Sequence, residues 1–284
     1  MLEDREYMRD RRDPEMNPDK SGMKCLWGLI LINAVIWLIG PALIEDLILP
    51  GGGFALKEPW RFLTAAFSHA GFTHLFFNLF GLYMFGSISA RILGGKKFCS
   101  LYLTAGIFGN VFWYLFNIGN PGAAVLGASG AVVGVIMATA MMMPDIQVLM
   151  LFFPVPIKLK TMAIVYAVLE VLMAGSGGTG GIAYLAHVGG LIGGWLFMEF
   201  FARQYISWHP LGAITGSRTA EAEPPPGWTS SSYDAYTGGA VSKQDVDRVL
   251  DKLSRTGVNS LTEEEMEILR KAREQMKSGQ SSRQ

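Results

Sequence analysis

Two short motifs in this chain hold residues able to do chemistry together: Gly127-Ala128-Ser129-Gly130 and Ala186-His187-Val188-Gly189-Gly190. A serine hydroxyl is a weak nucleophile until a base takes its proton, and an imidazole does this at neutral pH. Both motifs lie near the start of an apolar segment, where a serine and a histidine are costly to keep without partners or a task. The pairing implies a Ser–His dyad. His187 takes the Ser129 proton, the alkoxide attacks a peptide carbonyl, and the imidazolium then protonates the leaving amine. No residue stands out in the sequence as the group that orients His187.

Such a reaction also needs donors for an oxyanion. His74 and Asn78 are i and i+4, so they share one helix face. The first turn of a helix opening at Ser129 has unpaired backbone N–H groups, and His74 and Asn78 would add side-chain donors. Gly127, Ala128 and Gly130 surround Ser129, while Gly190 and Gly194 repeat a small-xxx-small spacing behind His187. Small residues let helix backbones approach closely, which would carry the His187 ring to the Ser129 hydroxyl. Other polar positions are less telling. Glu170 lies within the fifth apolar segment, where an acid marks either a function or a wet, hydrogen-bonded position. His69 and His209 lie at or beyond segment boundaries and receive no role. Trp60 and Arg61 are expected to shape the first loop, and Met141-Met142-Met143 to fill core or face lipid.

These residues need a frame. Half of the 284 residues are apolar, and only five Lys or Arg fall strictly between Lys24 and Trp195 outside the first loop. That pattern excludes an ordinary soluble core and predicts an all-α membrane protein. Six spans are expected, roughly 25–44, 72–93, 98–117, 129–143, 161–176 and 182–203. About 20 residues cross the hydrocarbon core, so the fourth and fifth are short. Of the 24 Lys and Arg, six precede the first span, three join the second to the third, two join the fourth to the fifth, and eleven follow Ala202. Only Lys57 and Arg61, in the first loop, are left for the other side. The positive-inside rule then puts both termini in the cytoplasm. On that topology His74, Asn78, Ser129 and His187 come from three helices to one layer, within roughly 10 Å of the outer boundary.

At these residues the chain resembles the rhomboid intramembrane serine proteases, over roughly residues 24–203. The likeness rests on the G-x-S-G motif at 127–130, the A-H-x-G-G-x-x-x-G run from Ala186 to Gly194, His74-x-x-x-Asn78, and the Trp60-Arg61 pair. It implies a six-transmembrane-helix rhomboid-like bundle with cytoplasmic N- and C-termini. It also implies Ser129 as nucleophile, His187 as base, His74 and Asn78 lining the oxyanion hole, and transmembrane protein substrates cut near the outer membrane boundary. No cofactor or metal is implied. Two departures stand out. The second span reads Gly86, Ala90, Gly94 where many rhomboids carry a glutamate between the glycines. Val133 occupies a position where some have a tyrosine against the catalytic histidine, so something else must hold the His187 ring. The alternative is a catalytically silent relative that binds transmembrane helices for trafficking or quality control, although such a binder needs neither Ser129 nor His187. A transporter has less support, because no inverted repeat or matched pair of interrupted helices is visible.

The remaining regions complete the expectation. Residues 1–23 form a polar cytoplasmic tail unlike a cleaved signal peptide. A six-span domain covers 24–203, a flexible linker with Pro224-Pro225-Pro226 covers 204–241, and a small helical hairpin and tail cover 242–284. In that hairpin Thr262 and Glu265 form a capping box, and its partner would be cytoplasmic. Cys25 and Cys99 are the only cysteines, and neither a disulfide framework nor a zinc site is expected. No basic run interleaves with aromatics, which argues against nucleic acid. The plain core with a cytoplasmic tail suits a bacterial plasma membrane, in contact with the lipid bilayer on all sides.

Overall fold

The computed structural model describes residues 20–149, 155–175, 181–212, 248–253 and 260–270. Two compact units divide the chain, one of residues 1–145 and 157–227, the other of 146–156 and 228–284. Most of the N-terminal tail and of the linker lie outside the described residues.

In the first unit, α1 (Ser21–Ile39) is followed by two four-residue helices, α2 (Ile44–Leu47) and α3 (Arg61–Thr64), within the first loop. The longest helical run, α4 (Phe72–Asn117), is interrupted at Gly94, whose φ of 71° favours a residue without a Cβ. The chain doubles back there: a methyl placed on Gly86 would lie 3.1 Å from Phe98 Cζ, twelve positions on. The limbs on either side, 72–93 and 95–117, correspond to the second and third expected segments. α5 (Ser129–Met142), α6 (Leu159–Gly175) and α7 (Gly181–Phe201) complete the set. Among the described residues, Ser21–Ile39, Phe72–Asn117 and Tyr184–Phe201 are long and apolar enough to cross a membrane. α1 begins and ends a few residues earlier than the hydropathy suggests, because a 3₁₀ turn at Gly40–Ala42, with Pro41, ends it.

α5 occupies the centre. Its residues from Gly130 to Val135 and from Met137 to Met142 are all buried, as expected of a helix that is apolar all round. At 14 residues it is about 21 Å long, shorter than the hydrocarbon core. α6 is peripheral. It turns Leu159, Ala163 and Glu170 inward and exposes Val165, Val168, Leu169 and Leu172. The buried positions are spaced by four and seven residues, so they form one face.

Few polar groups are buried in this interior, and most are paired. Asn33 Nδ2 donates to Leu29 O at 2.8 Å and to the Tyr102 hydroxyl at 3.1 Å, and that hydroxyl donates to Ala66 O at 3.3 Å. Ser89 and Thr139 hydroxyls meet at 2.6 Å, tying α4 to α5. Near the start of α1, Ser21 Oγ accepts from the Gly95 N–H at 2.8 Å. This docking brings Cys25 to Cys99, and the two are joined as a disulfide with their Cα atoms 6.2 Å apart. The expectation of no disulfide framework is therefore corrected by this one bridge. Their separation of 74 residues hides a proximity that the reversal at Gly94 creates.

The first loop is folded, as its length and aromatics suggest. Arg61 is buried, pairs with Glu58, and donates to the carbonyls of Glu45 and of Ile48, the latter at 2.9 Å. Trp60 is half exposed. Strand β1 (Leu49–Pro50) pairs antiparallel with β2 (Ala124–Val125), with Leu49 opposite Val125 and Pro50 opposite Ala124. The Tyr114 hydroxyl donates to Gly52 O at 2.7 Å, fastening the same loop to the end of α4.

In the second unit, residues 248–253 and 263–270 are helical. The capping box forms as expected: Thr262 Oγ1 accepts from the Glu265 N–H at 3.2 Å, and Glu265 Oε2 accepts from the Thr262 N–H at 2.8 Å. Lys252 Nζ pairs with the Glu265 carboxylate at 2.8 Å, linking the two helical stretches.

Candidate active site

The site is built where α5 begins. The Gly127 N–H donates to Ala65 O at 2.8 Å, so the turn entering α5 is fastened to the first loop. Gly127 has a φ of 124°, a conformation that glycine adopts without strain. Its bare Cα also leaves room for His74: a methyl there would lie 2.9 Å from His74 Nε2 and 3.7 Å from Ser129 Oγ. The His74 ring and the Ser129 hydroxyl thus converge on one glycine. A side chain at 127 would displace the imidazole.

Helices α5 and α7 touch backbone to backbone. A methyl on Gly190 would lie 2.1 Å from Gly130 O, one on Gly134 would lie 2.7 Å from Gly190 O, and one on Gly194 would lie 2.3 Å from Gly134 O. The contact continues upward, where a methyl on Gly130 would lie 3.1 Å from Ala186 O. Ser129 and His187 are the chain neighbours of Gly130 and Ala186, so each stands beside the same close contact. The small-residue spacing in the sequence has this physical outcome. Ser129 is half-buried, and the His187 side chain is 15% exposed.

Among the described residues no hydrogen bond joins Ser129 to His187. His187 Nδ1 is engaged elsewhere: Glu170 Oε2 lies 2.9 Å away and the Tyr166 hydroxyl 3.4 Å away, both on α6. The Tyr184 ring stands edge-on to His187 at 6.4 Å between centroids. The sequence offered no residue to orient His187; the structure supplies Glu170, with Tyr166 one turn before it. Val133 is buried, and the aromatic contact that it cannot make is made from α6 and α7 instead.

Asn78 is buried and its Nδ2 donates to His74 O at 2.9 Å, one turn back. The second N–H of the same amide is left for another acceptor. His69 was given no role from sequence, yet its ring packs edge-on against His74 at 5.1 Å between centroids. Burial, and then the charge of His74, lower its pKa from 6.5 to about 4. Four residues lie between the two histidines, and the bend at Ala70–Gly71 preceding α4 brings one against the other. His209 pairs with Glu199 at 2.9 Å, beside the Trp195 indole.

Fold and site together define a helical membrane protein that keeps a serine, two histidines and a carboxylate among its helices. Residues 56–204, 149 of 284, match the Rhomboid domain, and the chain belongs to the rhomboid family. It is 36% identical over 127 residues to Rhomboid protein 1, mitochondrial, of Saccharomyces cerevisiae, covering 37% of this chain and 36% of that one. Rhomboid protease GluP of Bacillus subtilis is 32% identical over 169 residues, covering 59% of this chain and 30% of that protein. Presenilin-associated rhomboid-like protein, mitochondrial, of Mus musculus is 30% identical over 147 residues, covering 49% and 38%. The chain thus spans well under half the length of these curated relatives. They are divided between mitochondria and a bacterium, so the expected bacterial plasma membrane finds no support in them.

Proposed function

We propose that this chain is an intramembrane serine endopeptidase. Ser129 is the nucleophile and His187 the general base, and His74, Asn78 and the first-turn N–H groups of α5 are donors to the oxyanion. The observation that carries the reading is the α5–α7 backbone contact at Gly130 and Ala186, the chain neighbours of Ser129 and His187, in a rhomboid-family chain. The substrates are transmembrane proteins whose helices unwind near the outer boundary, because a helical peptide hides its carbonyls in hydrogen bonds. The six helical segments, with α4 counted as two, cross the bilayer with both termini in the cytoplasm, as the Lys and Arg distribution requires. The hairpin expected in 242–284 is a cytoplasmic appendage, solvated or docked on a cytoplasmic partner.

The test uses detergent-solubilised full-length protein, a fluorophosphonate probe and a transmembrane substrate. Wild type is expected to label and cleave, Ser129→Ala to do neither, and His187→Ala to lose cleavage by at least roughly 10³-fold. Equal behaviour of the three proteins would discard the dyad. A folded wild type that neither labels nor cleaves would favour the helix-binding alternative.

A further inference from the structure

We propose that Glu170 is the positioning residue of the dyad: it accepts a hydrogen bond from His187 Nδ1, so that Nε2 is left bare to act as the base for Ser129. This deepens the protease reading and rests on it. Among the described residues Glu170 is the only buried carboxylate, at 5% exposure. Burying an unpaired carboxylate in an apolar helix bundle is costly. The fold meets that cost with His187 Nδ1 at 2.9 Å, and Tyr166 stands one turn earlier on α6. Tyr166 also reaches His187 Nδ1, so carboxylate, phenol and imidazole form one cluster.

The chemistry follows from donor and acceptor capacity. An ionised carboxylate only accepts, so the proton between the two groups belongs to His187 Nδ1. The neutral imidazole then has its lone pair on Nε2, the nitrogen available to Ser129. During acylation the proton passes from Ser129 Oγ to Nε2, and from Nε2 to the leaving amine. Glu170 neither gains nor loses a proton. It holds the tautomer and stabilises the imidazolium between the two transfers. No aromatic ring at position 133 is present to hold His187, and α6 supplies the contact to it instead.

The experiment compares full-length wild type, Glu170→Gln, Glu170→Asp and Ser129→Ala in detergent, reading kcat and KM on a transmembrane substrate. We expect kcat of Glu170→Gln to fall roughly 10²-fold or more with KM within about twofold, because an amide can present N–H to Nδ1 and put the proton on the wrong nitrogen. Glu170→Asp is expected to recover part of that loss. A second measurement needs no substitution at 170: ¹⁵N-histidine NMR of wild type, with the His187 signals assigned by their loss in His187→Asn. The chain has four histidines, so the spectrum is small enough to assign. A protonated Nδ1 and bare Nε2 are expected. A bare Nδ1, or Ser129-dependent cleavage with wild-type kcat in Glu170→Gln, overturns the role of Glu170 while leaving the protease reading in place. A wild type without labelling or cleavage overturns the protease reading and the role of Glu170 with it.

Discussion

Glu170 and His69 are ionisable side chains near the site that the fold removes almost wholly from water. Glu170 is held by partners on its own helix and on α7. His69 is held neutral by burial and by the neighbouring His74, with its pKa lowered to about 4. The unfolded chain takes up a proton on this residue near pH 6.5, while the folded protein refuses it until about pH 4. His69 therefore contributes stability that is present above pH 6.5 and is lost as the pH falls toward 4. Thermal unfolding at pH 7.5 and pH 5 checks this. Wild type is expected to lose more of its Tm over that interval than His69→Phe, which keeps an edge-on ring against His74. Equal losses would remove His69 as a source of acid sensitivity.

Glycines at the α5–α7 contact act at the scale of elements, since what they set is the distance between two helix axes. Gly190→Ala puts a methyl about where Gly130 O stands, and backbone, unlike a flexible side-chain tip, has little room to yield. The expected cost is about 1–3 kcal/mol from overpacking. Ser129 and His187 would move apart with the helices, so labelling and cleavage should fall together with Tm. Gly28→Ala in α1 is the control, because its methyl meets nothing within 4 Å. If Gly190→Ala behaved like Gly28→Ala, close helix contact would not be what brings the pair together. α6 makes its contribution differently. Most of its surface is apolar and exposed, and its inward face carries only a narrow row that includes Tyr166 and Glu170.

Across the whole molecule, the Cys25–Cys99 disulfide ties α1 to the second limb of α4 over 74 residues of chain. A bridge of that kind stabilises by ~2–4 kcal/mol, chiefly by restricting the unfolded chain. Reductant or Cys25→Ser is expected to lower Tm by several degrees. Thiol labelling of denatured protein should find none before reduction and two after, since the sequence has two cysteines. Free thiols in the unreduced protein would contradict the bridge. The first loop has a comparable tying role without a covalent bond: Arg61 gathers its carbonyls, and β1–β2 pairing anchors it to the turn that leads into Ser129.

Hydropathy, charge asymmetry and small-residue spacing are local or additive properties, and each could be read along the chain. They sufficed for the apolar helices, for a folded first loop and for the capping box at Thr262, and they nominated Ser129, His187, His74 and Asn78 as candidates. What they could not supply is how a helix is rotated about its own axis, or where the chain reverses. α6 is apolar on nearly every side, so no periodicity announced that Glu170 would turn toward His187 and not toward lipid. Gly94 looked like one more small residue, yet its positive φ folds α4 back and brings Cys99 to Cys25. Short strands such as β1 and β2 leave no two-residue alternation to detect, and their pairing joins residues 49 and 125. These contacts depend on packing between segments distant in sequence, and only the tertiary structure decides them.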